Sequence, residues 1–362
     1  MKNGCIAIRD TDMYYVSFGK GNKNLVVLPG LSDGLATVKG KAFILASPYR
    51  PFFKDYTVYM FSRKNVMPEG YTIREMASDQ AAAMKELGIV KASVLGVSQG
   101  GMIAQYLAID CPEMVERLVL AVTAPYANDV VQKAVSSWIE MAERKDHKAL
   151  MVDTAEKMYS RSYLEKNAKW YPLIAKFTKP KSYERFLRNA YAILGFDARD
   201  ELDRISCPTL IIAGGDDNTV GNAAPHELNS RISQSKVFLY EELGHGVFEE
   251  ARDFYDRVYE FCQSEWNHTS QAVTLPSSTA GSLVDHPGAR DLDDQGDKEQ
   301  GAGDLLKDDE GQRHADEGCD RVISTFRYLS SFVAGLLSAS SNDSANDCRL
   351  CWQRANFLPD TS

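Results

Sequence analysis

Six short runs dominated by apolar residues, at 25–28, 56–61, 92–97, 117–122, 209–213 and 236–240, restrict this chain to a small set of folds. A strand that is apolar throughout is buried on both faces, whereas one exposed to water on one face alternates. Between the second and third runs, Thr72 stands three residues before Glu75, the spacing of a capping box. It opens a helical pattern through Met76, Ala83, Met84 and Leu87 to Gly88. A second helical pattern, rich in small residues, covers 100–108. Strand and helix therefore alternate, which calls for right-handed crossovers and helices on both faces of a mostly parallel sheet. Two further runs, Cys5 to Ile8 and Met13 to Phe18, flank Asp10, Thr11 and Asp12 and predict a leading hairpin.

The alternation stops between about 124 and 205. That span reads as amphipathic helices carrying Trp138, Met141, Tyr159, Trp170, Phe177, Phe186 and Tyr191, and these side chains are expected to form the core of a helical cap over the strand ends. Residues 248–261 predict one closing helix. From 267 to 362 the chain holds 16 acidic against 8 basic residues, so nearly all of its net charge of −9 lies there and the first 266 residues are close to neutral. This segment is rich in Gly, Asp, Ser, Pro and Gln, and it predicts a disordered acidic extension. Within it, residues 322–337 have enough apolar content for one helix but are too polar to span a membrane. Cys348 and Cys351 lack the neighbouring ligands of a zinc site. Seven scattered cysteines suggest reduced thiols, and the first residues show no apolar secretory segment, so a cytoplasmic protein is expected. The net charge of −9 argues against a nucleic-acid binder, which would need a basic face, and no membrane partner is expected.

The chemistry is carried by Gly96-Val97-Ser98-Gln99-Gly100-Gly101, which lies between the 92–97 strand and the following helix. This is the G-x-S-x-G turn in its strand-turn-helix setting, where glycines permit a strained bend that exposes a serine hydroxyl. Such a hydroxyl needs a base, and the base needs an orienting carboxylate. Of the three histidines before residue 266, His147 sits in a charged stretch and reads as a solvated surface residue, while His226 follows Pro225 and reads as a surface or capping residue. His245, in Gly244-His245-Gly246, follows the last strand and is the expected base. Asp216 and Asp217 end the 209–213 strand. Asp217 is the better acid and Asp216 its rival.

Residues 96–105, 210–220 and 244–248 resemble the α/β-hydrolase superfamily in its capped, single-domain esterase and lactonase-like branch, over residues 1 to about 265. The resemblance implies an α/β-hydrolase fold, with a domain at 1–266 and a cap at about 124–205. It also implies the chain order Ser98, Asp217, His245 for nucleophile, acid and base. By position, the oxyanion donors are the backbone N–H groups of Gln99 and Leu31. The family's usual His before Gly is replaced by Pro29, and Asp33 is expected to turn outward or cap a turn. Where relatives have Asp-x-Arg-Gly, this chain has Phe61-Ser62-Arg63-Lys64-Asn65, with Arg63 keeping the structural arginine's place.

The expected activity is acyl-enzyme hydrolysis of a small or medium carboxylic ester, lactone or thioester, a small-molecule acyl substrate, with no cofactor or metal and no particular oligomeric state. A serine at the elbow departs from the aspartate of dehalogenases and epoxide hydrolases of this fold. Two other readings are weighed. An aminopeptidase or acyltransferase is one, and the former would need a cap carboxylate such as Glu143, Glu156, Glu165 or Glu184. The other is a non-hydrolysing receptor or scaffold, which has no need of all three catalytic groups.

Overall fold

A computed structural model describes residues 1–9 and 11–266. Expectations for the acidic extension at 267–362, the helix at 322–337 and the Cys348/Cys351 pair fall outside the described residues. In chain order the elements are β1 (Lys2–Ile8), β2 (Thr11–Gly19), β3 (Lys23–Leu28), α1 (Ala42–Leu45), β4 (Tyr56–Lys64), α2 (Ile73–Glu86), β5 (Ala92–Val97), α3 (Gln99–Asp110) and β6 (Val115–Ala121). Five helices follow before the next strand: α4 (Asp129–Glu143), α5 (His147–Met158), α6 (Arg161–Asn167), α7 (Tyr171–Thr178) and α8 (Glu184–Leu194). The chain then runs through β7 (Thr209–Gly214), α9 (Ala224–Arg231), β8 (Ser235–Tyr240), α10 (Val247–Glu250) and α11 (Phe254–Gln263).

The strands form one sheet in the order β1-β2-β4-β3-β5-β6-β7-β8. The β1–β2 hairpin and its junction with β4 are antiparallel, and every pairing from β4 to β8 is parallel. Two cores lie on opposite faces, which accounts for the unbroken apolar runs. Val26, Leu28, Val94 and Ile211 enter one core with residues of α2, α3 and α9. Their immediate neighbours Leu25, Val27, Leu95 and Ile212 enter the other with Ala42, Tyr49, Phe254 and Val258. Thr72 closes the capping box ahead of α2, its side chain accepting from the Glu75 N–H while the Glu75 carboxylate accepts from the Thr72 N–H. Among the described residues no helix is long and apolar enough to cross a membrane.

Three expectations change. The closing helix is two helices, with the chain extended at Ala251 (φ −77°, ψ 120°) between them. Val247, Phe254 and Val258 keep one helical phase across the break, so apolar spacing alone could not show it. The cap aromatics do not all face inward: Trp138 and Phe186 are buried, but Trp170 is 43% exposed, Phe177 60% and Tyr191 52%. His147 is buried rather than solvated. It is the first residue of α5, and its Nε2 lies 3.0 Å from Thr178 Oγ1 at the end of α7. The flanking Lys145, Asp146 and Lys148 are exposed, so the stretch is charged on average while one member points in.

Burial, reinforced by nearby Lys179 and opposed by the Thr178 hydrogen bond, lowers the His147 pKa to about 4. In the unfolded chain imidazole protonates near its ordinary value of about 6.5. The unfolded state therefore takes up the extra proton, so stability is full above that pH and falls as pH drops toward 4. By pH 5 the loss is expected to be on the order of 1–2 kcal/mol. Urea melts at pH 7 and pH 5 check this, with a flatter profile expected for His147→Gln.

Candidate active site

β5 ends at Val97 and α3 begins at Gln99, so Ser98 alone reverses the chain, at φ 54° and ψ −120°. A non-glycine residue at positive φ is strained and is held there by its surroundings. The Ser98 N–H donates to the Ala121 carbonyl (2.9 Å), and the Ser98 carbonyl accepts from Thr123 Oγ1 (2.8 Å). The neighbouring glycines provide the space. A Cβ on Gly100 would stand 1.8 Å from the Leu28 carbonyl oxygen, and one on Gly96 would stand 2.6 Å from the Gly101 Cα.

Ser98 Oγ lies 2.9 Å from His245 Nε2, and His245 Nδ1 lies 2.8 Å from Asp217 Oδ2. The second oxygen of Asp217 accepts from the N–H groups of Thr219 (2.8 Å) and Val220 (2.9 Å), so the carboxylate is fixed on both sides. His245 and Asp217 are buried and Ser98 is partly open. The structure brings Asp217, not Asp216, to the imidazole; Asp216 is exposed and accepts from the Asn218 amide. His226 is exposed on α9. The glycines around His245 allow backbone contact. A Cβ on Gly214 would meet the Gly244 carbonyl at 2.2 Å, and the Gly246 N–H donates to the Met158 carbonyl (2.7 Å) at the end of α5.

Leu31 and Gln99 each open a helical turn, where the first N–H groups have no intrahelical acceptor. The turn after β3 lies against the serine: a Cβ on Gly30 would be 3.3 Å from Ser98 Cβ. Beneath this turn sits Arg63, among the largest fully buried side chains. Its Nη2 donates to the Pro29 carbonyl (2.6 Å) and to Gln99 Oε1 (2.9 Å), joining the two segments that carry the proposed donors. Asp33 does not turn outward. It is buried, and its Oδ2 accepts from the Arg63 N–H (3.0 Å) and from Arg185 Nη2 (2.7 Å). Burial disfavours its charge, but Arg185 and Arg63 outweigh that and hold the carboxyl below its ordinary range. The same burial lowers Arg63 to about 10 and Lys41 to about 8, with Asp33 opposing both shifts.

Arg185, on α8 of the cap, was not singled out by sequence reasoning. It also donates to the carbonyls of Asp33, Arg63 and Lys64, while the Asn189 carbonyl accepts from Gln99 Nε2. No spacing rule links positions 152 residues apart, and only the arginine's place on an amphipathic helix hinted at an inward role. On the other side of the site, the Tyr159 hydroxyl donates to Glu249 and both the N–H and the hydroxyl of Ser160 donate to Glu250. Burial raises Glu249 to about 7 despite that hydrogen bond. Among the described residues no group of three or more His, Cys, Asp or Glu side chains is placed to hold a metal ion.

Residues 54–252 match the family model described as the alpha/beta hydrolase fold. The 3-oxoadipate enol-lactonase 2 of Acinetobacter baylyi is 23% identical over 237 residues, 65% of this chain and 87% of the relative. The serine hydrolase BPHL of Mus musculus is 24% identical over 272 residues, 70% of this chain and 84% of the relative. Among solved structures, MGS-M2, an alpha/beta hydrolase enzyme from a Medee basin deep-sea metagenome library, superposes with a TM-score of 0.66. It is 20% identical, and the match covers 74% of this chain and all of that one.

Removing one member of a buried ion pair leaves the other uncompensated, at a cost of about 3–5 kcal/mol. Arg185→Met is expected to destabilise the protein by about that much, and Asp33→Asn combined with Arg185→Met by clearly less than the sum of the single changes. Denaturant unfolding of the two single variants and the double variant measures the coupling.

Proposed function

The chain belongs to the α/β-hydrolase fold family, and from that membership we propose that it is a serine hydrolase. In this reading it cleaves a small or medium carboxylic ester, lactone or thioester through an acyl-enzyme. The observation that carries the reading is the hydrogen-bonded relay from Ser98 Oγ through His245 to Asp217. Ser98 Oγ attacks the acyl carbonyl while His245 Nε2 takes its proton. Asp217 accepts from the Nδ1–H, which keeps the imidazole in the tautomer that leaves Nε2 free to act as base. The N–H groups of Leu31 and Gln99 receive the developing oxyanion, each worth about 3 kcal/mol of barrier. Collapse expels the alcohol or thiol, protonated by His245, and the same imidazole then activates water to release the acid. The catalytic unit in this proposal is residues 1–266, with α4 to α8 as its cap.

The enol-lactonase and serine-hydrolase relatives agree with ester or lactone chemistry. Glu143, Glu156, Glu165 and Glu184 are all exposed, and Glu165 and Glu184 pair with Arg161 and Arg188. A carboxylate set in the cap to hold a substrate amine is thus not found among them, which favours the ester reading over an aminopeptidase.

A fluorophosphonate probe is expected to label Ser98 and to leave Ser98→Ala unlabelled; labelling at another residue would overturn the proposal. Asp217→Asn is expected to lower kcat by about 10⁴-fold, while Asp216→Asn stays within a few-fold of the parent. Kinetics on p-nitrophenyl esters of rising chain length, lactones and aminoacyl amides read the substrate class directly.

A further inference from the structure

The outer surface of the cap carries two features that the chemistry at Ser98 does not use. The first is a row of exposed apolar side chains at helical spacing: Trp170 (43% exposed), Leu173 (45%) and Phe177 (60%). At about 100° per residue these positions fall within one narrow arc. The opposite side of α7 is spoken for. Tyr171, Ile174 and Ala175 are buried in a cluster with Met151 and Ala155, against which Leu35 and Tyr159 pack. The exposed row is therefore not a misfit of the cap core, because α7 already has a complete buried face.

The second feature is charge. Lys169 and Lys176 border the row, and with Lys145, Lys148 and Lys179 they line a cavity of about 590 Å³ whose floor includes Leu173 and the buried His147. Its one carboxylate, Asp146, caps α5 by accepting from the Ala149 N–H. Residues 161–181 as a whole carry six basic side chains, Arg161 included, against one acid, Glu165, although the first 266 residues are nearly neutral.

An apolar helix face containing Trp and Phe and rimmed by lysines suits the boundary between lipid headgroups and acyl chains. We infer that the outer face of α7 and of the 3₁₀ turn that leads into it docks on an anionic lipid surface, with Trp170 from the turn and Leu173 and Phe177 from α7 entering the boundary and the surrounding lysines meeting lipid phosphate. The positive rim favours this occupant over a neutral protein partner or a second copy of the cap, which would set these lysines against no opposite charge or against each other. The Trp-Leu-Phe row favours it over an acidic peptide such as residues 291–310, which has few large apolar side chains to match that row. This departs from the expectation of no membrane partner, which rests on a composition close to the soluble globular average. Docking on a surface needs only an exposed face.

Flotation of the full chain with phosphatidylserine-rich vesicles, against phosphatidylcholine alone, tests the inference. Binding to the anionic vesicles only, weakening as salt rises, is expected. Lys169→Glu with Lys176→Glu should lower partitioning by well over the roughly fivefold expected for one lysine. Trp170→Ser, Leu173→Ser and Phe177→Ser together should abolish it with only a small change in melting temperature, because none of the three side chains belongs to the buried cluster of the cap. A brominated lipid should quench Trp170 in the otherwise unaltered protein, the quenched component being absent from Trp170→Phe, which keeps the test independent of how the triple variant folds. Failure of the full chain to float with anionic vesicles overturns the inference. So does unchanged partitioning of the serine variant, or binding of inorganic phosphate without vesicle binding. A dimer that the triple variant dissociates also overturns it, by assigning the face to a second copy.

Discussion

The buried carboxylate of Asp33 is the point at which three separated parts of the chain meet. It lies in the turn after β3, accepts from the backbone of Arg63 at the end of β4, and pairs with Arg185 from the cap. An unpaired charge at such depth would be strongly unfavourable, so each partner holds the others in place. The result is geometric. Arg63 reaches from the Pro29 carbonyl to the Gln99 side chain and fixes the distance between the two segments proposed to bind the oxyanion. The arrangement at Ser98 thus rests on an ionic cluster that itself touches no reacting atom.

Backbone proximity is the second constraint. Gly100 lets the start of α3 approach the Leu28 carbonyl, and Gly214 lets the β7 turn approach Gly244. In a parallel sheet the strand ends lie only one strand spacing apart, about 4.8 Å. Loops that must converge on one point have no room for a Cβ where they cross. The strain at Ser98 is held by the same contacts, with Ala121 and Thr123 gripping its peptide groups from the neighbouring strand end.

Much of this was legible in the sequence because it is local. The apolar runs at 25–28 and 92–97 name buried parallel strands directly, and Thr72 with Glu75 marks the start of α2 within a residue. The relay was legible because each member sits at a strand end with a distinctive neighbour. What could not be read was tertiary. The inward turn of Asp33 depends on an arginine 152 residues away, and the burial of His147 depends on Thr178 and Tyr183 arriving from later helices. Polar residues in charged surroundings average to surface in any window, and only the packed structure shows which of them are enclosed. The choice between Asp216 and Asp217 was decided by the turn's own hydrogen bonds to Thr219 and Val220.

The cap is tied to the body at two opposed places: Arg185 and Asn189 grip the turn after β3 and the start of α3, while Met158, Tyr159 and Ser160 grip the loop and helix around His245. A structure bound at both ends behaves as a bridge rather than a hinged door. Exchange of one cap for another among proteins of this architecture would therefore not be a free modular swap. The incoming helices would have to bring equivalents of both abutments, or the body would have to lose the charges that expect them. In such a protein, diversification of what the cap admits is channelled into the span between the abutments, where α6 and α7 lie, and there into the faces that do not pack on Tyr159.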